Sequence, residues 1–306
     1  MKRDFLSIAD WSGDELAHIL ATTRKVKDYP ANYEDALHGK SIALIFEKQS
    51  LRTHVTFDVG IHQLGGHPIY LTQADISLGK RESIYDTAKN LERWLQGVVV
   101  RTFSHGSLVE LAGAISIPVI NALTDGEHPC QAVGDMFTII EKIGSVAGKR
   151  FVFVGDGNNV CHSLMLIAAK MGMHFTASTP RGYEPDPQIF KAAAAAAKET
   201  GAVIDLNHNP KETVKHADVV YTDVWVSMGQ EEEKEQRLHA FKEYQVNAKL
   251  MSHAKHHTLF MHCLPAHRGE EVTDEVMSSA HSIVFDQAEN RLHSEKAILV
   301  HLLSRD

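Results

Sequence analysis

Short apolar, β-like runs alternate with helical patterns along almost the whole chain, and this alternation constrains the fold more than any other feature. Ser41-Ile42-Ala43-Leu44-Ile45-Phe46 reads as a strand. Behind it Val55, Val59 and His62 recur at spacings of four and three, and Gly65-Gly66 closes the pattern as a helix C-cap does. The period repeats through strand 68–71, a polar loop 72–82, a helix ending near Trp94-Leu95, strand 98–100, a further helix and strand 118–120. Past Gly144-Ser145 it restarts, with strands expected at 151–154, 175–177, near 202–204, 219–222 and 259–261. A last strand is expected at Ile283-Val284-Phe285, then a helix from near Glu289 to about Leu303. Strands separated by helices pair in parallel, with helices covering both faces. The expected fold class is therefore α/β with two domains, each a parallel sheet flanked by helices; the site is expected in the cleft between them. The expected boundaries are 1–144 and 145–286, with a C-terminal helix at about 287–306 packing back on the first domain. Ser12-Gly13-Asp14-Glu15 reads as a capping box opening a first helix to about Val26, and the run of alanines at 192–197 as helix.

Composition removes several function classes. The 306 residues suit two ordinary domains. A net charge of −8, from 31 Lys and Arg against 39 Asp and Glu, argues against nucleic acid as a partner. An anionic ligand must then be met by a local basic cluster. Cys130, Cys161 and Cys263 form no CxxC pair and no disulfide framework, which fits a reducing compartment. The start, Met1-Lys2-Arg3-Asp4-Phe5, leads directly into folded-looking sequence, and no run is apolar enough to span a membrane. A cytoplasmic protein without membrane contact is expected.

In open α/β sheets ligands bind at the carboxyl ends of the strands, so polar residues there are the site candidates. Ser50 follows the first strand and is placed to cap a helix, where free N–H groups and the positive dipole end favour an anion. Arg52 adds a fork of donors and Thr53 a hydroxyl, a set suited to phosphate oxygens. On this stretch alone a capped helix with a solvated Arg fits equally well. Arg101 ends strand 98–100, and His128 stands just before Pro129 at a helix N1 position, with Gln131 beyond it.

Gly155-Asp156-Gly157-Asn158-Asn159 looks superficially like a dinucleotide fingerprint. Val160 occupies the third Gly position, however, and the next strand ends without an acidic residue, so NAD is not expected. One of the two Asn is expected to cap the following helix. Asp223 ends strand 219–222 and leads into Val224-Trp225-Val226-Ser227-Met228-Gly229 and a charged run, Gln230-Glu231-Glu232-Glu233-Lys234-Glu235, expected as a solvated helix or mobile loop. His262-Cys263-Leu264-Pro265 ends strand 259–261. His253, His256 and His257 lack HExxH or paired ligand spacing and are expected on a polar helix face, with no metal. Arg52, Arg101 and Arg291 converging on one cleft would be too costly without an anion. A carboxylate and a hydroxyl in the second domain suit a cationic amine.

Ser50-Leu51-Arg52-Thr53, His128-Pro129-Cys130-Gln131, Asp223 through Gly229 and His262-Cys263-Leu264-Pro265 look like the motifs of the ornithine carbamoyltransferases, in order and across essentially the whole chain. Cys130 and Cys263 separate this group from the aspartate-using enzymes, which typically carry HPTQ and HPLPR. Two positions depart from the pattern. Leu51 replaces the usual Thr of SxRT, and Ser77 stands where many relatives place Gln, which leaves a neighbouring subunit's contribution open. The resemblance implies transfer of the carbamoyl group of carbamoyl phosphate to the δ-amine of L-ornithine, giving L-citrulline and phosphate, with no metal or organic cofactor. It implies a homotrimer or a multiple of trimers.

By the same resemblance Ser50, Leu51, Arg52, Thr53 and Arg101 hold the phosphate. Thr53, Arg101, His128 and Arg291 face the carbamoyl oxygen, while Gln131 and the Leu264 carbonyl fix the carbamoyl nitrogen. Asn159, Asp223, Ser227 and the Met228 backbone grip ornithine. Cys263 orients the δ-nitrogen, the covalent carbamoyl-thiolate being the weaker alternative. Rival readings are transfer to putrescine or an acylated ornithine, and a non-catalytic amino-acid-binding relative. The phosphate cradle argues against the last.

Overall fold

The structure, a computed structural model, describes residues 2–76, 78–80 and 82–304. Ser77, and with it the departure noted there, lies outside the described residues. The chain divides into two compact units, Met1–Phe137 with Glu289–Asp306, and Thr138–Ala288. Both divisions fall inside helices.

The first unit begins with α1 (Gly13–Asp28), whose N-terminus carries the reciprocal Ser12/Glu15 capping box. Then come β1 (Ser41–Phe46), α2 (Leu51–Gln63), β2 (His67–Thr72), α3 (Ile84–Trp94), β3 (Gly97–Arg101), α4 (His105–Ala114), β4 (Val119–Leu123) and the start of α5 (Pro129–Ile143). The strands pair in parallel in the order β2-β1-β3-β4. Apolar residues run almost unbroken through β1 and β3 because both faces are covered, and Ala43, Ile45, Val98 and Val100 share one core with Leu108 and Leu111 of α4. The order reverses between β1 and β3, so a crevice is expected at their carboxyl ends.

In the second unit β5 (Arg150–Val154), α6 (Asn159–Lys170), β6 (His174–Ser178), α7 (Pro187–Thr200), β7 (Ile204–Asn207), α8 (Pro210–Thr213) and β8 (Val219–Thr222) are followed by α9 (Lys234–Phe241), α10 (Ala248–Met251), β9 (Leu259–His262), α11 (Asp274–Met277) and α12 (Val284–Leu303), which continues into the first unit. The sheet is again parallel, ordered β7-β6-β5-β8-β9 and reversing between β5 and β8. The two glycines of the fingerprint-like loop have local tasks. Gly155 adopts φ 141, and a Cβ on Gly157 would lie 2.3 Å from the Pro185 nitrogen.

Two expectations are corrected. Ile283-Val284-Phe285 is not a strand. Ser282 makes one bridge to Phe260, the Phe260 N–H donates to the His281 carbonyl at 2.9 Å and the Ile283 N–H to the Phe260 carbonyl at 3.0 Å, and the chain turns at once into α12, which starts at Val284 rather than near Glu289. Val284 is buried while Phe285 is 70% exposed, so the apolar triplet does not fill a sheet. His253, His256 and His257 lie in the turns after α10, not on a helix face. His256 packs edge-on against His281, and His257 stands 3.8 Å from Asp218. Among the described residues no helix is long and apolar enough to cross a membrane.

Candidate active site

Parallel pairing builds the site in the first unit. Phe46 and Arg101 are register partners at the ends of β1 and β3, which brings the loop after β1 beside Arg101. The Glu47 N–H donates to the Arg101 carbonyl at 2.9 Å, and the Glu47 carboxylate accepts from Thr102 and from the Leu78 N–H. Lys48 is buried, paired with Asp125 and stacked over the Phe103 ring at 4.3 Å. Ser50 caps α2, its hydroxyl accepting the Thr53 N–H at 3.2 Å. A cleft of about 520 Å³ lies beside this loop, lined by Phe46, Ser50, Leu51, Tyr70 and Thr72 among others. Leu51, which lines this cleft, is 74% exposed.

Arg291 of α12 carries a second layer. Its guanidinium donates to Gln131 of α5, to Thr53 Oγ1 at 3.4 Å and, through Nε at 3.1 Å, to Glu295. Gln131 in turn donates to Asp135 at 2.7 Å. Gly134 permits this approach of α12 to α5, since a Cβ there would meet Ser294 Oγ at 3.1 Å and Arg291 Cδ at 3.2 Å. Burial would favour discharging Arg291, but the Glu295 carboxylate beside it more than offsets that and raises its pKa. His128 is buried close to two cations. Burial first, then the charges of Arg291 and Arg101, hold it well below the ordinary histidine range, so at neutral pH it offers a neutral imidazole.

The second unit repeats the logic at the β5/β8/β9 ends. Thr222 and His262 are register partners, so the residues that follow them, Asp223 and Cys263, emerge side by side. The Cys263 thiol donates to Asp223 Oδ1 at 2.9 Å. Asn158 Nδ2 donates to Asp223 Oδ2 at 2.7 Å, and Asn158 Oδ1 caps α6 by accepting from the Val160 and Cys161 N–H groups. The cap is thus Asn158, and Asn159 is the first residue of the helix. Leu264 lies in this unit, whereas Ser50, Leu51, Arg52, Thr53, Arg101, His128, Gln131 and Arg291 lie in the first.

Ser227 and Met228 sit in the loop that leaves Asp223. There the Ser227 N–H is held by Gln230 and the Gly229 N–H by Glu231. The charged run forms a short 3-10 turn, Glu231–Glu233, and then α9, which is anchored by the buried Arg237. Arg237 donates to Asp156 at 2.9 Å and to the Trp225 carbonyl at 3.1 Å. Burial pushes the Asp156 carboxyl up to about 6, against the pull of Arg237.

Among the described residues, two groups of side chains have donor atoms close enough to share an ion, Asp223 with His262 and Cys263, and His267 with Glu270 and Glu271. In the first, the thiol is committed to Asp223, and both ring nitrogens of His262 are hydrogen-bonded. Several residues of these networks escaped the sequence reading, among them Asp135, Glu295 and Glu271, as did the second role of Asn158. Asp135 and Glu295 stand four residues after Gln131 and Arg291 on helices, a spacing that could have revealed them. Asn158 was visible as a cap but not as a partner of Asp223. Glu271 left no local signal.

The arrangement offers fixed cations, hydroxyls and a helix N-terminus in one unit, and a carboxylate with a thiol in the other. The carbamoyl-P binding domain model of the aspartate/ornithine carbamoyltransferases matches residues 3–141, and their Asp/Orn binding domain model matches residues 147–302. The chain is 50% identical to an ornithine carbamoyltransferase of Thermococcus kodakarensis, over 97% of this chain and 95% of that protein. It is 57% identical to one of Methanothermobacter thermautotrophicus, over 87% and 88%. The solved ornithine carbamoyltransferase of Pyrococcus furiosus superposes with a TM-score of 0.96 at 48% identity, covering 98% of this chain and 97% of that one.

Proposed function

The chain belongs to the aspartate/ornithine carbamoyltransferase family, and from that membership we propose that it carries the carbamoyl group from carbamoyl phosphate to the δ-amine of L-ornithine. The observation that carries the choice of ornithine is the Cys263–Asp223 hydrogen bond. It sets the cysteine that distinguishes the ornithine-using motif beside a carboxylate suited to an ammonium group.

Carbamoyl phosphate is assigned to Ser50, the Leu51 backbone, Arg52, Thr53 and Arg101, whose charge and N–H groups meet the phosphate. The neutral δ-amine attacks the carbamoyl carbon, the C–N bond forms, and the bond to the bridging oxygen breaks. The proton shed by nitrogen leaves with the departing phosphate. Negative charge builds on the carbamoyl oxygen, where Thr53, Arg101, the neutral imidazole of His128 and Arg291 are preorganised donors. Gln131 and the Leu264 carbonyl take the carbamoyl nitrogen. Asn159, Asp223, Ser227 and the Met228 backbone take the amino-acid end of ornithine.

Cys263 holds its S–H as a donor to Asp223, a geometry that serves orientation of the δ-amine rather than attack by sulfur. Direct transfer then needs both substrates bound at once, and much of the acceleration comes from that positioning. No step is assigned to a metal or organic cofactor. We place the enzyme in the cytoplasm, a reading supported by three cysteines that form no disulfide, and as a homotrimer, supported by the family motifs. A monomer mass by light scattering would remove the trimer.

The test is citrulline formation from carbamoyl phosphate against ornithine, putrescine, aspartate and N-acetylornithine. Ornithine should be used at least about a hundredfold better than the others, the scale set by charged contacts left unpaired in the wrong complex. Equal use of putrescine would refute the assignment of Asp223 and Ser227 to the amino-acid end.

A further inference from the structure

Leu264 is the one non-glycine residue with positive φ among the described residues, at φ 60. The left-handed region is disfavoured for a side chain branched like leucine, so something must hold the turn there. The surrounding hydrogen bonds show what does. The Leu264 N–H donates to Nδ1 of His262 at 2.8 Å. Because Nδ1 accepts, the ring proton sits on Nε2, which points to Glu271 Oε1 at 3.1 Å. The same carboxylate oxygen accepts the His267 N–H at 2.6 Å, closing the far side of the loop.

His262 and Glu271 are both fully buried. The Glu271 backbone is itself fixed, its carbonyl accepting the Val246 N–H at 2.8 Å, and the His262 N–H is held by the buried Gln287 at 3.0 Å. Burying a carboxylate is unfavourable unless it is paired, and Glu271 Oε1 is paired with His262 and the His267 N–H, the two residues that flank the segment presenting Cys263 and Leu264.

We propose that Glu271 and His262 are positioning residues. Glu271 fixes the tautomer and orientation of the His262 ring, and the ring fixes the left-handed Leu264 backbone, which aims the Leu264 carbonyl and the Cys263 thiol. Neither residue touches substrate. The inference rests on the reading that Leu264 and Cys263 serve carbamoyl transfer to ornithine.

Two substitutions separate the links. His262→Gln keeps a donor near Nε2 for Glu271 but removes the acceptor of the Leu264 N–H. Glu271→Gln keeps an acceptor of the same shape but removes the charge that holds the ring. His262→Gln should lower kcat at least about tenfold, the effect of one misplaced hydrogen-bonding group, while carbamoyl phosphate affinity stays within about threefold. Glu271→Gln should act in the same direction and more weakly. The double variant should be no slower than His262→Gln, because both act through one N–H. Multiplicative losses, or wild-type kcat in a folded His262→Gln protein, would overturn the proposal.

Ring 15N shifts supply a readout independent of turnover. His262 of the native protein should carry its proton on Nε2, and a proton on Nδ1 would overturn the proposal even if the variants fail to fold. Absence of citrulline formation by the wild-type protein would instead refute the reaction, leaving the ring assignment standing.

Discussion

At the scale of single residues, Arg52 is the sharpest probe of the first unit. It follows the Ser50 cap by two positions, on the turn of α2 whose N–H groups lead the helix. Replacing it with Ala should weaken carbamoyl phosphate binding by about 1.5–3 kcal/mol, the value of a hydrogen bond to a charged group, and should abolish measurable turnover. Calorimetry with carbamoyl phosphate decides the point, and near-normal affinity would exclude Arg52 from the phosphate cradle. Ser50 was legible in the sequence because capping is local, needing only a polar residue before a helical pattern. Asn158 and Asn159 show the limit of the same reasoning. Sequence could say that one of them caps, but only the pairing of β5 with β8 and the hydrogen bond it allows show that the capping residue also holds Asp223.

At the scale of elements, α9 and the loop before it are tied to the sheet through the Arg237–Asp156 pair. Asp156 has a folded pKa of about 6 against an ordinary value of 3.8, raised by burial. The native state therefore binds this proton more tightly than the unfolded chain. Its contribution to stability is fully present below about pH 4 and is lost as pH rises to about 6. Asp156→Asn removes that dependence. Between pH 4 and 6 the wild type should lose stability relative to the variant, by at most about 3 kcal/mol. Urea midpoints of the two proteins across that range test this, and parallel curves would show that Asp156 does not titrate there. Elements were read well where burial on two faces forces a continuous apolar run, as in β1, β3 and β5. Ile283-Val284-Phe285 imitates such a run, yet only Ile283 reaches the sheet, and three residues are too few for periodicity to separate strand from helix.

At the scale of the whole molecule, the alternation of strands and helices was enough to expect two parallel sheets, because a parallel crossover needs a helix. It could not show which distant side chains share a network. Glu271 meets His262, and Arg291 meets Thr53, only through tertiary packing. The first unit is built from both ends of the chain, and this has a consequence for the order in which the molecule is made. Synthesis delivers the whole of Thr138–Ala288 before Glu289–Asp306 appears. The earlier part of the first unit must wait, with Gln131 and Thr53 lacking Arg291, Lys27 lacking Asn290 at 2.8 Å, and Gly97 lacking the cover of Leu303. Domains fold as units, so the later-made unit should become protease-resistant first on the ribosome. Chains stalled just after Ala288 has emerged should give a protected fragment from the second unit and none from the first. Equal protection of both would show that the first unit closes without its final helix. The proposed carbamoyl phosphate cradle is then the last part of the molecule to mature, and a nascent chain passes most of its synthesis without it.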